Sequence, residues 1–371
     1  MNKKVIALCL MFCVCVGLLL ACGENVPPAD SETDGTTAPL PHDTLLPPDT
    51  ETATQTITTP DTDPIPPDTD LQIKKQAVCD VRAKEIEDYI KKNTPTYQRE
   101  IIPDEPTETA PDETDAAPVE TEPLYEEYTP EVSFYYMDIE SGVTMSYNGD
   151  KVLYSASLIK QPFILWALKT IEAEEAKADF EEGSTFDVNR IFTYQKENFR
   201  QGSGVIHKSE YGTEYTYLDL LKLTITKSDN VAFYELRKSY GTKGFFAFCE
   251  SLGVKSPQRS LYNLSAAECA IFLKETYEYF ESGSKYADLL REWMQSTNHR
   301  IMLPHALKSP VANKYGWDLG AYHDMGVVFH EHPYILVIMT GLENGSSADN
   351  KFIRNLAKMV EGVHEEINSL E

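Results

Sequence analysis

Two groups of strand-like segments sit far apart in this sequence, with a long helical run between them, and that order limits the folds open to the chain. Residues 132–137 and 143–147 are rich in Val, Phe, Tyr and Met and flank the polar turn Asp138-Ile139-Glu140-Ser141-Gly142. Near the C-terminus, residues 310–317, 323–329 and 334–340 read as three more strands. Between them lie an opening helix over 159–173 and helical segments over 217–225, 231–240, 243–252, 265–280 and 285–295. A last helix spans 348–367. Strands bury their apolar faces only if the two groups meet, so distant segments must complete one sheet and the middle must form an inserted helical lobe. The fold class is α+β, and residues 131–371 are long enough for a large core.

The chain before that domain is of another kind. Lys3 and Lys4 precede an apolar run over residues 5–20, too short for a comfortable membrane span, which ends Leu19-Leu20-Ala21-Cys22-Gly23. This segment, 1–21, resembles a bacterial lipoprotein signal. The resemblance implies cleavage before Cys22, lipid attachment to its thiol, and a place on the extracytoplasmic face of a bacterial membrane. Residues 22–70 follow as a Pro-, Thr- and Asp/Glu-rich stretch with 11 acidic residues and no Lys or Arg. Such a composition cannot bury enough apolar surface to offset chain entropy, so a disordered, extended tether is expected. Residues 71–95 read as a first helix, with Ile73, Val78, Val81, Ile86 and Ile90 on one side. Residues 96–130 are a second acidic, proline-rich insertion. The formal charge of −26 is therefore mostly in the tails, and no basic patch of nucleic-acid type appears.

Cysteine usage excludes a disulfide scaffold: with the signal removed only Cys22, Cys79, Cys249 and Cys269 remain. No zinc spacing is present. His330-Glu331-His332 could place two imidazoles on one strand face, but it precedes Pro333 and reads as a hairpin tip rather than a metal site. No cofactor or metal is expected.

Chemistry concentrates where the first extended segment gives way to helix, in Ser157-Leu158-Ile159-Lys160. At i and i+3 the two side chains share a helix face, and a desolvated lysine is one of the few groups able to take a serine's proton. The spacing alone proves little, since Ser282-Gly283-Ser284-Lys285 has it too, in a polar, glycine-containing stretch. What distinguishes Ser157 is company. Ser228-Asp229-Asn230 falls between two helical segments, and Lys314-Tyr315-Gly316 lies on the first returning strand.

In that order the three motifs resemble the S-x-x-K, S-D-N and K-T-G set of class A β-lactamases and penicillin-binding proteins. The likeness runs through Gly202-Ser203-Gly204-Val205-Ile206 and the tail from Gly316-Trp317-Asp318 to Gly326. It implies a five-stranded antiparallel sheet flanked by N- and C-terminal helices. It also implies Ser157 as nucleophile, Lys160 as its base, Ser228 as relay to the leaving nitrogen, and Asn230 as holder of Lys160 and of a substrate amide. Lys314 would receive a substrate carboxylate, and backbone N–H groups of Ser157 and Trp317 would form an oxyanion hole beside Gly316. The implied substrates are β-lactams or D-alanyl stem peptides of the cell wall.

Two departures qualify that picture. Tyr315 stands where the family has Thr or Ser, and its ring cannot take that place without filling the cleft. Residues 253–263, which correspond to the loop of the deacylating glutamate, contain no carboxylate, while Glu250 and Glu268 flank them in apparent helices. Slow deacylation is expected, and a sensor or binding lipoprotein that acylates without turnover is the competing reading. A Ser-His-Asp esterase fits poorly: no G-x-S-x-G elbow exists, and His323 and Asp324 are adjacent on a strand and so point to opposite faces.

Overall fold

The computed structural model describes residues 69–101, 124–318, 320–343 and 345–370, all within the unit Pro64–Glu371. Cys22, the signal and the tether lie outside the described residues. In chain order, helix α1 (Thr69–Asn93) leads to a two-stranded ribbon, β1 (Tyr97–Ile101) with β2 (Leu124–Tyr128). Strands β3 (Val132–Asp138), β4 (Thr144–Tyr147) and the short β5 (Leu153–Tyr154) follow. A 3-10 turn, Ala156–Ile159, opens helix α2 (Lys160–Glu175).

The helical lobe contains the small pair β6 (Ile191–Thr193) and β7 (Glu214–Thr216), then α3 (Tyr217–Thr226), α4 (Asn230–Tyr240), α5 (Lys243–Ser251) and α6 (Ser256–Arg259). Strand β8 (Asn263–Leu264) pairs with β5, and α7 (Ala266–Phe280) and α8 (Ala287–Gln295) complete the lobe; the short α9 (Leu303–Ala306) follows outside it. Strands β9 (Val311–Asp318), β10 (Ala321–Val328) and β11 (Tyr334–Thr340) return to the sheet, and α10 (Ser347–Asn368) ends it.

The main sheet has the order β4-β3-β11-β10-β9, antiparallel throughout, so the two groups of strands meet where Phe134 on β3 faces Ile338 on β11. β11 is apolar without a break because it is buried on both faces. Ile335, Val337 and Met339 join a core beneath the helical lobe, while Tyr334, Leu336 and Ile338 join a second core under α1 and α10. The first half of α2 runs through the first core with Phe163, Ile164, Leu165, Ala167 and Leu168 fully buried, and a stretch buried on every side needs no polar face; from Lys169 the helix turns partly outward. Pro162 sits in its first turn, where a missing N–H breaks no helical bond. Among the described residues no helix is long and apolar enough to cross a membrane.

One expectation is corrected in part. Of the row expected on the apolar side of α1, Ile86 and Ile90 are buried and Val78 packs against the same core, but Ile73 and Val81 are exposed, and Cys79 is buried with Ala83 packed nearby. The cause is polar anchoring. Gln72 and Gln76 donate to the carbonyls of Ser141 and Thr144, and Arg82 forks onto Glu366 of α10, which together fix the helix rotation. At the two ends of the acidic insertion, Tyr97–Ile101 and Leu124–Tyr128 pair in register. Tyr97 Oη donates to Asp349 in the first turn of α10 and Tyr128 Oη to Glu343 just before it, tying the ribbon to that end of the helix.

Removing everything before Glu131 strips α1 from the second core and exposes Ile86, Ile90 and the surface they cover. At about 1.5–3 kcal/mol per buried side chain this costs roughly 5 kcal/mol, a fall of at least ~10 °C in Tm for a domain of this size. Thermal unfolding of the truncated and full chains checks this, and equal melting temperatures would show that α1 is dispensable.

Candidate active site

The nucleophile candidate sits at a strained junction. β5 is held to β8, Ser155 N–H donates to Tyr262 O at 2.7 Å, and the chain then turns through Ala156 at φ +45°. A non-glycine residue in the left-handed region is uncommon and needs surrounding structure to hold it. Ser157 follows, half-buried, in the 3-10 turn, and the Lys160 N–H closes that turn onto the Ser157 carbonyl. Lys160 then points into the lobe, 2 % exposed.

Its Nζ donates to Ser228 O and to Asn230 Oδ1, each at 2.7 Å, and lies 3.3 Å from Ser228 Oγ. Burial drives its pKa down to about 7; Asp229 opposes this and Arg237 adds to it. Lys314, fully buried on β9, reaches the same hydroxyl from the other side: Nζ donates to Ser228 Oγ at 3.0 Å and to Tyr315 O at 2.7 Å. Burial first and Lys160 second push its pKa well below the ordinary lysine value. One hydroxyl therefore collects two amines.

Ser228 is placed by its neighbours. It takes φ +51°, and Asp229 then caps α4 through Ala232 N–H at 3.0 Å. The same carboxylate accepts from the N–H groups of Val205 and Ile206 at 2.6 and 2.9 Å. Gly204 packs so tightly on it that a Cβ there would lie 2.3 Å from Asp229 Oδ2. That is why Gly202-Ser203-Gly204 accompanies Ser228-Asp229-Asn230: one clamps the other. The amide nitrogen of Asn230 donates to Gln201 O at 2.9 Å, fixing which way its oxygen faces.

β9 is drawn against the nucleophile turn at Gly316, where a Cβ would stand 2.8 Å from Ser155 O. His323, opposite Gly316 on β10, reinforces the contact: Nε2–H donates to Tyr154 O at 2.8 Å and Nδ1 accepts Thr340 N–H at 2.9 Å. Burial keeps this imidazole neutral, with a pKa of about 4. Asp324 is buried elsewhere, accepting from Asn313 Nδ2 and Leu303 N–H, so the two do not form a charge-paired dyad.

Tyr315 does fill part of the cleft. Its ring is 5 % exposed, lies 4.2 Å from Lys314 Nζ, and its hydroxyl donates to Asn298 Oδ1 at 3.0 Å. Beside it opens a cavity of about 480 Å³ lined by Ser203, Asn298, His299, Trp317, Asp318 and Glu343. Spacing in sequence did not reveal Asn298, His299, His323 or Glu343, which arrive from separate elements. The second S-x-x-K pair has other partners: Ser282 Oγ donates to Tyr279 O and Lys285 pairs with Glu175. His330 and His332 contact His364 and Glu140, and among the described residues no cluster of His, Cys, Asp or Glu could hold a metal. Cys79, Cys249 and Cys269 are buried free thiols.

The family model described as the β-lactamase enzyme family matches residues 120–363. No curated protein matches the sequence. Solved structures with the same fold include PBP-A, at 20 % identity and TM-score 0.55, covering 64 % of this chain and 91 % of that one. A variant of PBP-A captured as an acyl-enzyme complex with penicillin G matches at 20 % identity and TM-score 0.54, with the same coverage. A class A β-lactamase from Mycobacterium abscessus matches at 16 % identity and TM-score 0.56, covering 76 % of this chain and 99 % of that one.

Only an uncharged Lys160 amine can accept the Ser157 proton. The rate at which a fluorophosphonate probe modifies Ser157 is therefore expected to climb as pH rises through about 7 and to level off above it. Lys160→Arg, which stays charged, removes the climb. A wild-type rate flat from about pH 5 to about pH 9 would exclude Lys160 as the base.

Proposed function

The chain belongs to the β-lactamase enzyme family, and from that premise we propose that it is an active-site-serine hydrolase of amide bonds acting on β-lactams or D-alanyl peptides through an acyl-enzyme. The observation that carries this reading is the convergence of Lys160 and Lys314 on Ser228 Oγ, next to the Ser157 turn. Neutral Lys160 takes the Ser157 proton as Oγ bonds to the carbonyl carbon. As the C–N bond breaks, Ser228 passes its proton to the leaving nitrogen and is reprotonated from the lysine pair. Backbone N–H groups of Ser157 and Trp317 hold the developing oxyanion, and the Gly316–Ser155 approach keeps them near one another.

Deacylation is the slow half. Water must be deprotonated at the ester, and residues 253–263 offer no carboxylate. Glu268 is committed elsewhere: its two oxygens accept from the N–H groups of Lys255, Ser256 and Ser265 at 3.0–3.1 Å. Glu250 is on the exposed side of α5. These same facts favour the second reading, a penicillin- or cell-wall-peptide sensor that acylates and does not turn over. The signal-like segment ending at Cys22 supports a lipid-anchored position outside a bacterial membrane; incorporation of a palmitate analogue, lost in Cys22→Ala, tests it.

Intact-mass measurement after penicillin treatment decides the chemistry. One stable adduct is expected, absent in Ser157→Ala and unchanged in Ser282→Ala, and Lys160→Ala should slow its formation by about two to four orders of magnitude. The adduct is expected to persist for minutes, giving a burst followed by a low steady rate. Glu268→Gln should lower Tm without altering that rate. Labelling that survives in Ser157→Ala would end the mechanism, and fast, burst-free hydrolysis abolished in Glu268→Gln would restore a glutamate-driven β-lactamase.

A further inference from the structure

Lys314 is the residue that the motif resemblance assigns to a substrate carboxylate, and its surroundings leave no room for one. Its side chain is fully buried, and Nζ donates to Ser228 Oγ at 3.0 Å and to Tyr315 O at 2.7 Å. A neutral amine has two N–H groups, and both are used. An ammonium has a third, but the face of the Tyr315 ring stands 4.2 Å from the nitrogen. In either state no donor is turned toward an incoming anion.

The ring that covers Lys314 is fixed by its neighbours. Tyr315 is 5 % exposed, its hydroxyl donates to Asn298 Oδ1 at 3.0 Å, and the His299 imidazole lies against it with 4.7 Å between centroids. Ser228, the relay hydroxyl, is a hydrogen-bond neighbour of the same phenol. Burial holds the phenol's pKa above the ordinary tyrosine value, against the pull of Ser228 and Asn298, so near neutrality it is uncharged. β9 is paired with β10 from Val311 to Asp318, which keeps the backbone at Tyr315 from carrying the ring away.

The open space beside the ring offers no substitute cation. None of the residues lining the cavity is Lys or Arg, and its uncharged polar groups are Ser203 and Asn298. Arg300, next to His299, directs its guanidinium to Asn313 Oδ1 and Val311 O, each at 3.2 Å. Residues 22–68 and 102–123 contain no Lys or Arg, so neither stretch brings a permanent positive charge.

A carboxylate that leaves water must find donors or a cation to replace its hydration. We propose that Tyr315 is a specificity-determining residue that closes Lys314 to substrate carboxylates. The substrate then carries an uncharged group, an amide or an ester, at the position where β-lactams and D-alanyl peptides carry an acid. The inference rests on the acyl-serine reading above and narrows its substrate class.

Benzylpenicillin and its methyl ester test it, since they share the acyl side chain and both rings and differ in the charge of that one group. Adduct formation on Ser157 in the full chain is followed by mass, which also tells the two adducts apart. Each rate is divided by the drug's rate with hydroxide, to remove intrinsic reactivity. In the wild type the acid is expected to have no advantage over the ester. In Tyr315→Thr the acid-to-ester ratio should rise by about tenfold or more, the scale of one charge-assisted hydrogen bond. A wild-type preference for the acid, or a ratio that Tyr315→Thr leaves unchanged, overturns the proposal. Should Tyr315→Thr fail to fold, Lys314→Ala decides: it slows acid and ester alike if Lys314 is closed, and selective loss of the acid overturns the closure.

If neither drug labels Ser157, the acyl-enzyme reading falls, and the closure of Lys314 is decided by equilibrium binding. Calorimetry with acetyl-D-alanyl-D-alanine and its C-terminal amide should show no preference for the acid in the wild type and one of about tenfold or more in Tyr315→Thr. An acid preference in the wild type, or no gain of one in the variant, overturns it.

Discussion

The site depends on putting two lysines around one hydroxyl in a place that water does not reach. Lys160 Nζ and Lys314 Nζ lie 3.3 and 3.0 Å from Ser228 Oγ, so they are at most about 6 Å apart. At that separation two full charges repel by roughly 3 kcal/mol for an effective dielectric constant of 20. At Lys314 the repulsion adds to desolvation and pushes the pKa well below the ordinary lysine value, while at Lys160 desolvation is the main cause of the fall and Arg237 adds to it. An amine neutral near pH 7 is the useful result. Asp229 and Asp324 set how far the fall goes, the first opposing it at Lys160 and the second at Lys314.

Holding such a pair requires rigid surroundings, and the strain in the backbone marks where they act. Ala156 and Ser228, immediately before Ser157 and before the capping aspartate, both have positive φ without being glycine. Each costs on the order of 1–3 kcal/mol unless neighbours enforce it. The enforcement is visible in the Ser155–Tyr262 bond on one side and in Asp229's three N–H partners on the other.

Local rules were legible in the sequence, whereas convergence of distant segments was not. The strands, the long helices and the three motifs can be read because periodicity and caps are written in adjacent residues. Ser228-Asp229-Asn230 reads as an ordinary helix cap, and the cap is real; that the same Asp229 also clamps Gly204 needs the loop to fold back. His323 gives no signal in its strand beyond alternation, yet it joins β10, β11 and the segment before Ser157. Asn298, His299 and Glu343 meet Tyr315 or its cavity from a loop after α8 and from beyond β11, so no spacing could have grouped them. The α1 face was legible at Val78, Ile86 and Ile90 but not at Ile73 and Val81, where glutamine and arginine anchors help fix the rotation.

The strand order has a consequence for how the molecule comes into being. β3 pairs on one side with β4, its neighbour in sequence, and finds its other partner only in β11, while β9, which carries Lys314, is the far edge strand, three positions from β3. A ribosome that has released everything through α8 has therefore made Ser157, Lys160 and Ser228 without the wall that confronts them. Assembly waits on the last strand, a long loop closure that is slow to nucleate. A chain broken off before Tyr334 would leave the β3–β4 hairpin with an unpaired edge, a template for association with other copies.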